Sequence, residues 1–368
     1  MRKSYTGVIV TAVLLGGLVL LALLALLVAL VLRTAPQTGK RAATSSPSPQ
    51  QRAEQLEQAS ALLTSGQVVK LSYRPASEKA DVTGQVVYVR DDLAVGEYVR
   101  GKGRARVVVA YGKQFVNGDV TWWWDQYDDD QEYAWLLAGH WYENGDGLGH
   151  DLHIGLTPSS IANTLDLAAS RGTGYTADGK GIAWSLGEGD YRQEFWLSDD
   201  PKEFTLKVRT DVNQGRVYDL TYTVVPRFER QPVYDELVDA VDGLRTAASM
   251  WSSQAFTTFK WGSCDGSACT MKVTMTVGEG SGRGAAVGRM MLYTKKKKLG
   301  SCETVRRFTY SSKEQKLTVS CAVRGDTWRV FWTAGAKQDY WGQTYAAEVA
   351  LKEAQVDVLL LQIAELRD

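Results

Sequence analysis

Hydrophobic and polar positions fall into three regimes along this chain. The first is unbroken: Gly7–Leu32 carries no charged residue and is almost entirely Val, Leu, Ala and Ile, between Arg2–Lys3 and Arg33. A helix needs about 20 apolar residues to cross roughly 30 Å of hydrocarbon, and this run exceeds that with room for tilt. A cleavable signal peptide has an apolar core of about 7–15 residues and a small-residue cleavage site. Leu32-Arg33-Thr34-Ala35 is a poor site of that kind, and no Cys lies near the run to take a lipid anchor. The pattern predicts an uncleaved signal-anchor at 7–32 behind a cytoplasmic tail at 1–6.

The second regime, residues 33–50, is rich in Ser, Thr, Pro and Ala, the composition of a flexible stalk. Basic residues alone do not orient the anchor: Arg2 and Lys3 face Arg33, Lys40, Arg41 and Arg52 on the other flank. The stalk and the cysteines considered below place the C-terminal part outside. The expectation is a single-pass protein of the cell membrane whose larger part is extracytoplasmic.

The third regime alternates. Gln51–Ser65 reads as a short amphipathic helix, with Leu56, Ala59, Leu62 and Leu63 on one face. Strands are predicted at Val69–Arg74, Val82–Arg90, Leu93–Arg100 and Arg104–Tyr111, spaced as an antiparallel meander. Asn117-Gly118 is a hairpin signal ahead of an aromatic strand, Val120–Trp124. Asp125–His153, acidic and Gly-rich, is read without regular structure. Thr157 then caps a helix with Pro158 in its first turn, running to about Ser170 and burying Ile161, Leu165 and Leu167 or Ala168. Strands return at Gly181–Leu186, Tyr191–Leu197, Phe204–Arg209 and Val217–Val225.

Val233, Leu237, Val241, Leu244 and Ala248 recur at helical spacing, so Pro232–Ser253 reads as a helix. Short strands follow at Met271–Val277, Ala286–Tyr293, Val305–Tyr310, Leu317–Val323, Trp328–Trp332 and Tyr345–Leu351, and Gln355–Leu366 ends as an amphipathic helix. The division is a first domain at 51–228, a connecting helix at 229–253, and a β-sandwich-like domain with a C-terminal helix at 254–368. The fold class is mainly β with helices, α+β.

Composition narrows the function. The 368 residues carry 42 basic and 42 acidic side chains, net charge zero, which argues against nucleic acid as a partner. The basic run Lys295–Lys298 lies between strand-like segments and reads as a solvated turn or strand edge rather than an anionic-lipid site. The chain's 12 Trp and 17 Tyr are ample material for packed sheets.

All four cysteines, Cys264, Cys269, Cys302 and Cys321, fall in the last third. Spacing alone allows three pairings; the local one, Cys264–Cys269 with Cys302–Cys321, is expected. A zinc site lacks the usual C-x2-C spacing, and no His lies in the same domain to activate a thiol. Disulfides imply an oxidising compartment. His140, His150 and His153 with Glu143, Asp146 and Asp151 are a weak metal candidate, because the spacing is not that of two ligands on one helix face. Asp125, Asp128–Asp130 and Glu132 lack the Gly and spacing of a calcium loop. Gly278–Gly282 and Gly101–Gly103 lead into no helix with a Lys-Ser/Thr, and no G-x-S-x-G elbow is present. The expectation is no metal, no cofactor and no enzyme.

Several short motifs in Gln51–Phe228 carry a family resemblance. They are Val116-Asn117-Gly118-Asp119 leading into Trp122-Trp123-Trp124, Ala138-Gly139-His140-Trp141, Leu156-Thr157-Pro158-Ser159, and Glu194–Asp199 with Phe204–Arg209. With the order helix, meander, capped helix and closing strands, this half of the chain resembles the LolA-like fold of bacterial lipoprotein carriers. Within it, the nearest pattern is that of actinobacterial LppX/LprG-type lipoproteins. The resemblance implies a curved antiparallel half-barrel closed by helices over an apolar cavity that takes acyl chains or glycolipids. Inward candidates are Val69, Leu71, Tyr73, Val87, Val89, Val107, Val109, Leu206 and Val208, each of which could equally be core filling. The departure is the anchor: a membrane helix stands where those lipoproteins have an acylated Cys, which limits any carrier role to local handover. The reading is a membrane-anchored lipid- or acyl-chain-binding protein of the cell envelope, its ligand a lipid or lipidated molecule. The alternative is an interaction or sensor module with closed cores; an enzyme using the His140–His153 loop comes third.

Overall fold

In the computed structural model the described residues are 48–77, 82–126, 131–143, 156–171, 174–175, 182–185, 192–197, 205–211, 217–249, 258–295, 297–334 and 339–367. The expected anchor at 7–32 and nearly all of the stalk lie outside them, and no helix among the described residues is long and apolar enough to cross a membrane. Ser48–Asp368 forms one compact unit.

Helix α1 (Pro49–Thr64) begins at a reciprocal cap. The Gln51 N–H donates to the Ser48 hydroxyl at 3.2 Å, and the Ser48 N–H donates to the Gln51 side-chain oxygen at 2.8 Å. Strands β1 (Val69–Pro75), β2 (Val82–Arg90), β3 (Leu93–Arg100), β4 (Gly103–Ala110) and β5 (Lys113–Gly118) then run as the antiparallel meander that alternation predicts. The hairpin signal is displaced. The β4–β5 turn is Tyr111-Gly112, with φ of 53° and 69°, while Asn117-Gly118 ends β5. Two successive positive φ values give the turn that matches strand twist.

The aromatic segment expected as a strand is helix α2 (Val120–Gln126). Asp119 caps it: the Trp122 N–H donates to Asp119 Oδ1 at 2.7 Å, and the Trp123 N–H to the Asp119 carbonyl. The stretch read as irregular contains helix α3 (Gln131–Leu137) and strand β6 (Tyr142–Glu143). Helix α4 (Pro158–Arg171) starts as expected, with the Ser160 N–H donating to Thr157 Oγ1 at 3.2 Å. It buries Ile161, Leu165 and Ala168 and leaves Leu167 exposed. Strands β7 (Gly174–Tyr175), β8 (Ile182–Ser185), β9 (Arg192–Leu197), β10 (Thr205–Asp211) and β11 (Val217–Val224) follow.

These strands and β12 (Ala248–Ser249) make one open twelve-stranded sheet, ordered β12-β6-β5-β4-β3-β2-β1-β11-β10-β9-β8-β7. Its two halves are buried differently. One face of β1–β5, β10 and β11 packs with α1 and α4 into a core that includes Leu56, Leu71, Val107, Ile161, Leu165, Leu206 and Leu220. The opposite face of β2–β5 packs on helices α5 (Arg230–Gly243) and α7 (Glu353–Arg367), through Leu93, Val95, Val108, Leu237, Val241, Val356, Leu359 and Ile363. Strand β3 is buried on both faces and apolar over its first half, Leu93–Gly96, whereas β11 alternates cleanly with only one face covered. Helix α5 is shorter than its periodicity implies. After Gly243 the chain makes one 3-10 turn, Leu244–Thr246, and enters the sheet as β12.

The remaining strands are β13 (Thr258–Cys264), β14 (Ala268–Val277), β15 (Arg283–Thr294), β16 (Lys297–Thr309), β17 (Gln315–Arg324) and β18 (Trp341–Glu348). They form two three-stranded sheets, β13-β14-β17 and β16-β15-β18, which share a core of Met271, Val273, Met275, Met290, Leu292 and Val319. The segment expected as a strand at Trp328–Trp332 is helix α6 (Asp326–Thr333), in which Trp328 and Phe331, three residues apart, are buried together. The cores cross the sequence ranges 51–228, 229–253 and 254–368. Alternate residues of β15 and β18 (Val287, Met291, Tyr345, Ala347) join the core of the twelve-stranded sheet, and α7 packs on β3 and α5. The molecule is mainly β with helices, its sheets open, with two disulfides.

Candidate functional site

Of the nine candidate ligand-facing residues, seven share one core: Val69, Leu71, Tyr73, Val107, Val109, Leu206 and Val208. Val87 and Val89 point to the opposite face, toward α5 and α7. Pairing explains the split. Val69 lies opposite Tyr88 and Leu71 opposite Val86, and directly paired residues share a face, so the odd positions of β2 turn away.

A void wide enough for a methylene chain leaves accessible surface on the atoms around it. Val69, Leu71, Val107 and Leu206 keep 0%, Val109 and Val208 1%, and Tyr73 4%. Side chains therefore fill the space beside these seven residues. Much of that filling is tyrosine, which the candidate set largely omitted: Tyr88, Tyr98, Tyr218 and Tyr222 are buried in the same core. Their signal was present, since Tyr218-x-Leu220-x-Tyr222 repeats at strand period. The Tyr222 hydroxyl donates to the Leu156 carbonyl at 2.9 Å, and Gln114 Nε2 donates to the Tyr98 hydroxyl at 2.9 Å. Burial raises the pKa of Tyr73, Tyr88 and Tyr222 well above that of a free phenol.

A second polar cluster lies where β15 faces β6. Arg289 is 1% exposed. Its Nε donates to Glu303 Oε2 at 2.7 Å, its Nη2 to the Thr246 carbonyl at 2.9 Å, and its guanidinium lies 4.6 Å from the Tyr142 ring centre. His140 Nδ1 lies 3.0 Å from the same Glu303 oxygen. Burial opposes ionisation of Glu303, but the His140 hydrogen bond and the Arg289 charge outweigh it and hold the carboxyl at about 2. Burial likewise raises the Tyr142 phenol, with Arg289 working against it. His140 is thus used in a structural ion network, and Glu143 pairs with Lys113 at 2.7 Å. His150, His153, Asp146, Asp151 and Asp128–Asp130 lie outside the described residues. Among the described residues no three His, Cys, Asp or Glu side chains are grouped to hold a metal.

The cysteines pair as Cys264–Cys269, across the β13–β14 hairpin, and Cys302–Cys321, which joins β16 to β17 and so links the two three-stranded sheets. Nearby, ring contacts run from Phe259 through Trp261, Tyr340 and Trp328 to Trp332, at centroid separations of 4.9, 5.6, 5.4 and 5.3 Å. Trp261 and Trp332 remain exposed, as does Val330 on the same helix as Trp332.

No protein-family model and no curated protein matches the chain. A solved structure of Trypanosoma rangeli sialidase in complex with sialic acid aligns at 8% identity and a TM-score of 0.10, over 77% of this chain and 69% of that one. A likeness so slight bears on neither fold nor function.

Proposed function

We propose that this chain is a membrane-tethered, non-catalytic recognition module of the cell envelope, whose contacts are made by the outer surface of Ser48–Asp368. Residues 7–32 would anchor it and 33–50 would hold it off the bilayer. The observation that carries this reading is the closed interior: the seven candidates gathered on one face have essentially no accessible surface. Trp261, Trp332 and Val330, apolar side chains left exposed on the outer surface, are available for such contacts. The two disulfides are consistent with an extracytoplasmic setting.

One observation favours the second reading, a LolA-like acyl-chain binder. Helices α1 and α4 pack together over the sheet's apolar face, as that family's cavity would need. A lipid would then have to part the helices from the sheet. Native mass spectrometry with lipid extraction on Ser48–Asp368, purified from an envelope, separates the two. The surface reading expects the mass of the protein alone, unchanged by added acyl ligands. Lipid that co-purifies, and that folded Leu206→Glu protein loses, would overturn it in favour of the lipid binder.

A further inference from the structure

The outer face of β1, β11, β10 and β9, the part of the large sheet that neither α5 nor α7 covers, holds a groove of about 510 Å³. Its lining follows from strand register. Ser72, Thr221, Lys207 and Trp196 are consecutive partners across the four strands and form one row. Arg74, Asp219 and Arg209 form the next, in which Glu194 holds the register position beyond Arg209. Arg209 donates to Asp219 from Nε and Nη2, at 2.7 and 3.0 Å, and its guanidinium lies 5.9 Å from the Trp196 ring centre. Asp219 is thereby paired with Arg209. Arg74 and Lys207 make no ion pair among the described residues.

We propose that this groove binds an anionic saccharide, a sugar ring carrying a phosphate or carboxylate. Each part of the lining matches a part of such a ligand. Arg74 and Lys207 stand on the two strands that flank β11, level with Asp219 and Thr221 respectively, and both line the groove, so that an anion there meets a cation on either side. The Ser72 and Thr221 hydroxyls each offer a donor and acceptors to ring hydroxyls. The indole of Trp196 supplies an apolar face for the carbon side of the ring, and Arg209 holds that indole in place. A purely apolar ligand would leave two cations without counter-charge, and a bare anion would leave the indole unused. The volume suits one or two rings, within the usual range for small-ligand sites of about 300–1,000 Å³.

This assignment rests on the surface-recognition reading. The test is calorimetric titration of the full-length chain in detergent micelles with glucose 6-phosphate, glucuronate, glucose and inorganic phosphate. Glucose 6-phosphate or glucuronate should bind at least about tenfold more tightly than glucose or inorganic phosphate, with affinity falling as salt is raised. Arg74→Gln and Lys207→Gln should each weaken that binding about tenfold or more. Trp196→Ala should abolish the preference over inorganic phosphate and Trp196→Phe should restore part of it, while Lys316→Gln, on exposed β17, should change nothing. All five substitutions are on partly or fully exposed side chains, and unchanged thermal unfolding would show that each variant folds. The proposal is overturned if neither anionic sugar binds, if inorganic phosphate binds as tightly, or if binding is indifferent to Arg74, Lys207 and Trp196. Lipid found in the native mass spectrum would instead overturn the surface reading, so the two fail separately.

Discussion

Replacing Glu303 by Gln tests whether the Arg289 network ties β15 to the large sheet. The substitution keeps size and shape but removes the negative charge facing a guanidinium that is 1% exposed. Two estimates of its cost can be compared. Breaking a buried ion pair by neutralising one partner costs about 3–5 kcal/mol, and the 27% exposure of the Glu303 side chain puts this case at or below the lower end. Linkage is the other route. The carboxyl titrates near 4.5 in the unfolded chain and at about 2 when folded, an interval equivalent to ~3 kcal/mol, which solvent screening of a partly exposed group reduces to about 2. Because the folded value is depressed, this contribution is fully present above about pH 4.5 and drains away as pH falls toward 2. Urea unfolding of Ser48–Asp368 should therefore show Glu303→Gln about 2 kcal/mol less stable at pH 7. The gap should narrow by at least about 1 kcal/mol at pH 3, where the wild type has already lost much of the same interaction. A variant as stable as the wild type at pH 7, or a gap constant from pH 7 to 3, would refute the reasoning.

Two further outcomes follow from packing and cross-linking. A Cβ at Gly288 would lie 2.7 Å from Val319 Cγ1, where the two three-stranded sheets meet, so Gly288→Val should lower stability by about 1–3 kcal/mol through overpacking, read by thermal unfolding. Removing the Cys302–Cys321 bridge, whose cysteines are 19 positions apart, as the double Ser variant should cost about 3 kcal/mol by denaturant titration; an unchanged midpoint would mean the sheets need no link.

What was legible in the sequence was local. β10 and β11 alternate because one face of each is wet, and their bounds are found within a residue or two. The capped start of α4 needed only Thr157 and Pro158. Of the three pairings that spacing allows, the structure has the local one, Cys264–Cys269 and Cys302–Cys321. One cause of misreading is that alternation is silent when both faces are buried. Val86-Val87-Tyr88-Val89 is apolar throughout, so only pairing with β1 decides that Val87 and Val89 face α5 and α7. Trp122-Trp123-Trp124 has strong strand propensity, yet the Asp119 cap and the burial of Trp122 and Trp123 make it a helix.

The sequence by itself therefore determined a β-rich chain with helices and most of its strands, since these depend on neighbours a few residues apart. Tertiary structure alone decided three things. It closed the interior with tyrosines from four strands, buried Arg289 against Glu303, His140 and Tyr142, and aligned Arg74, Lys207 and Trp196 along one groove. Each requires residues far apart in the chain to meet. Which ones meet is set by strand order and by which faces the helices cover, information that no window of sequence contains.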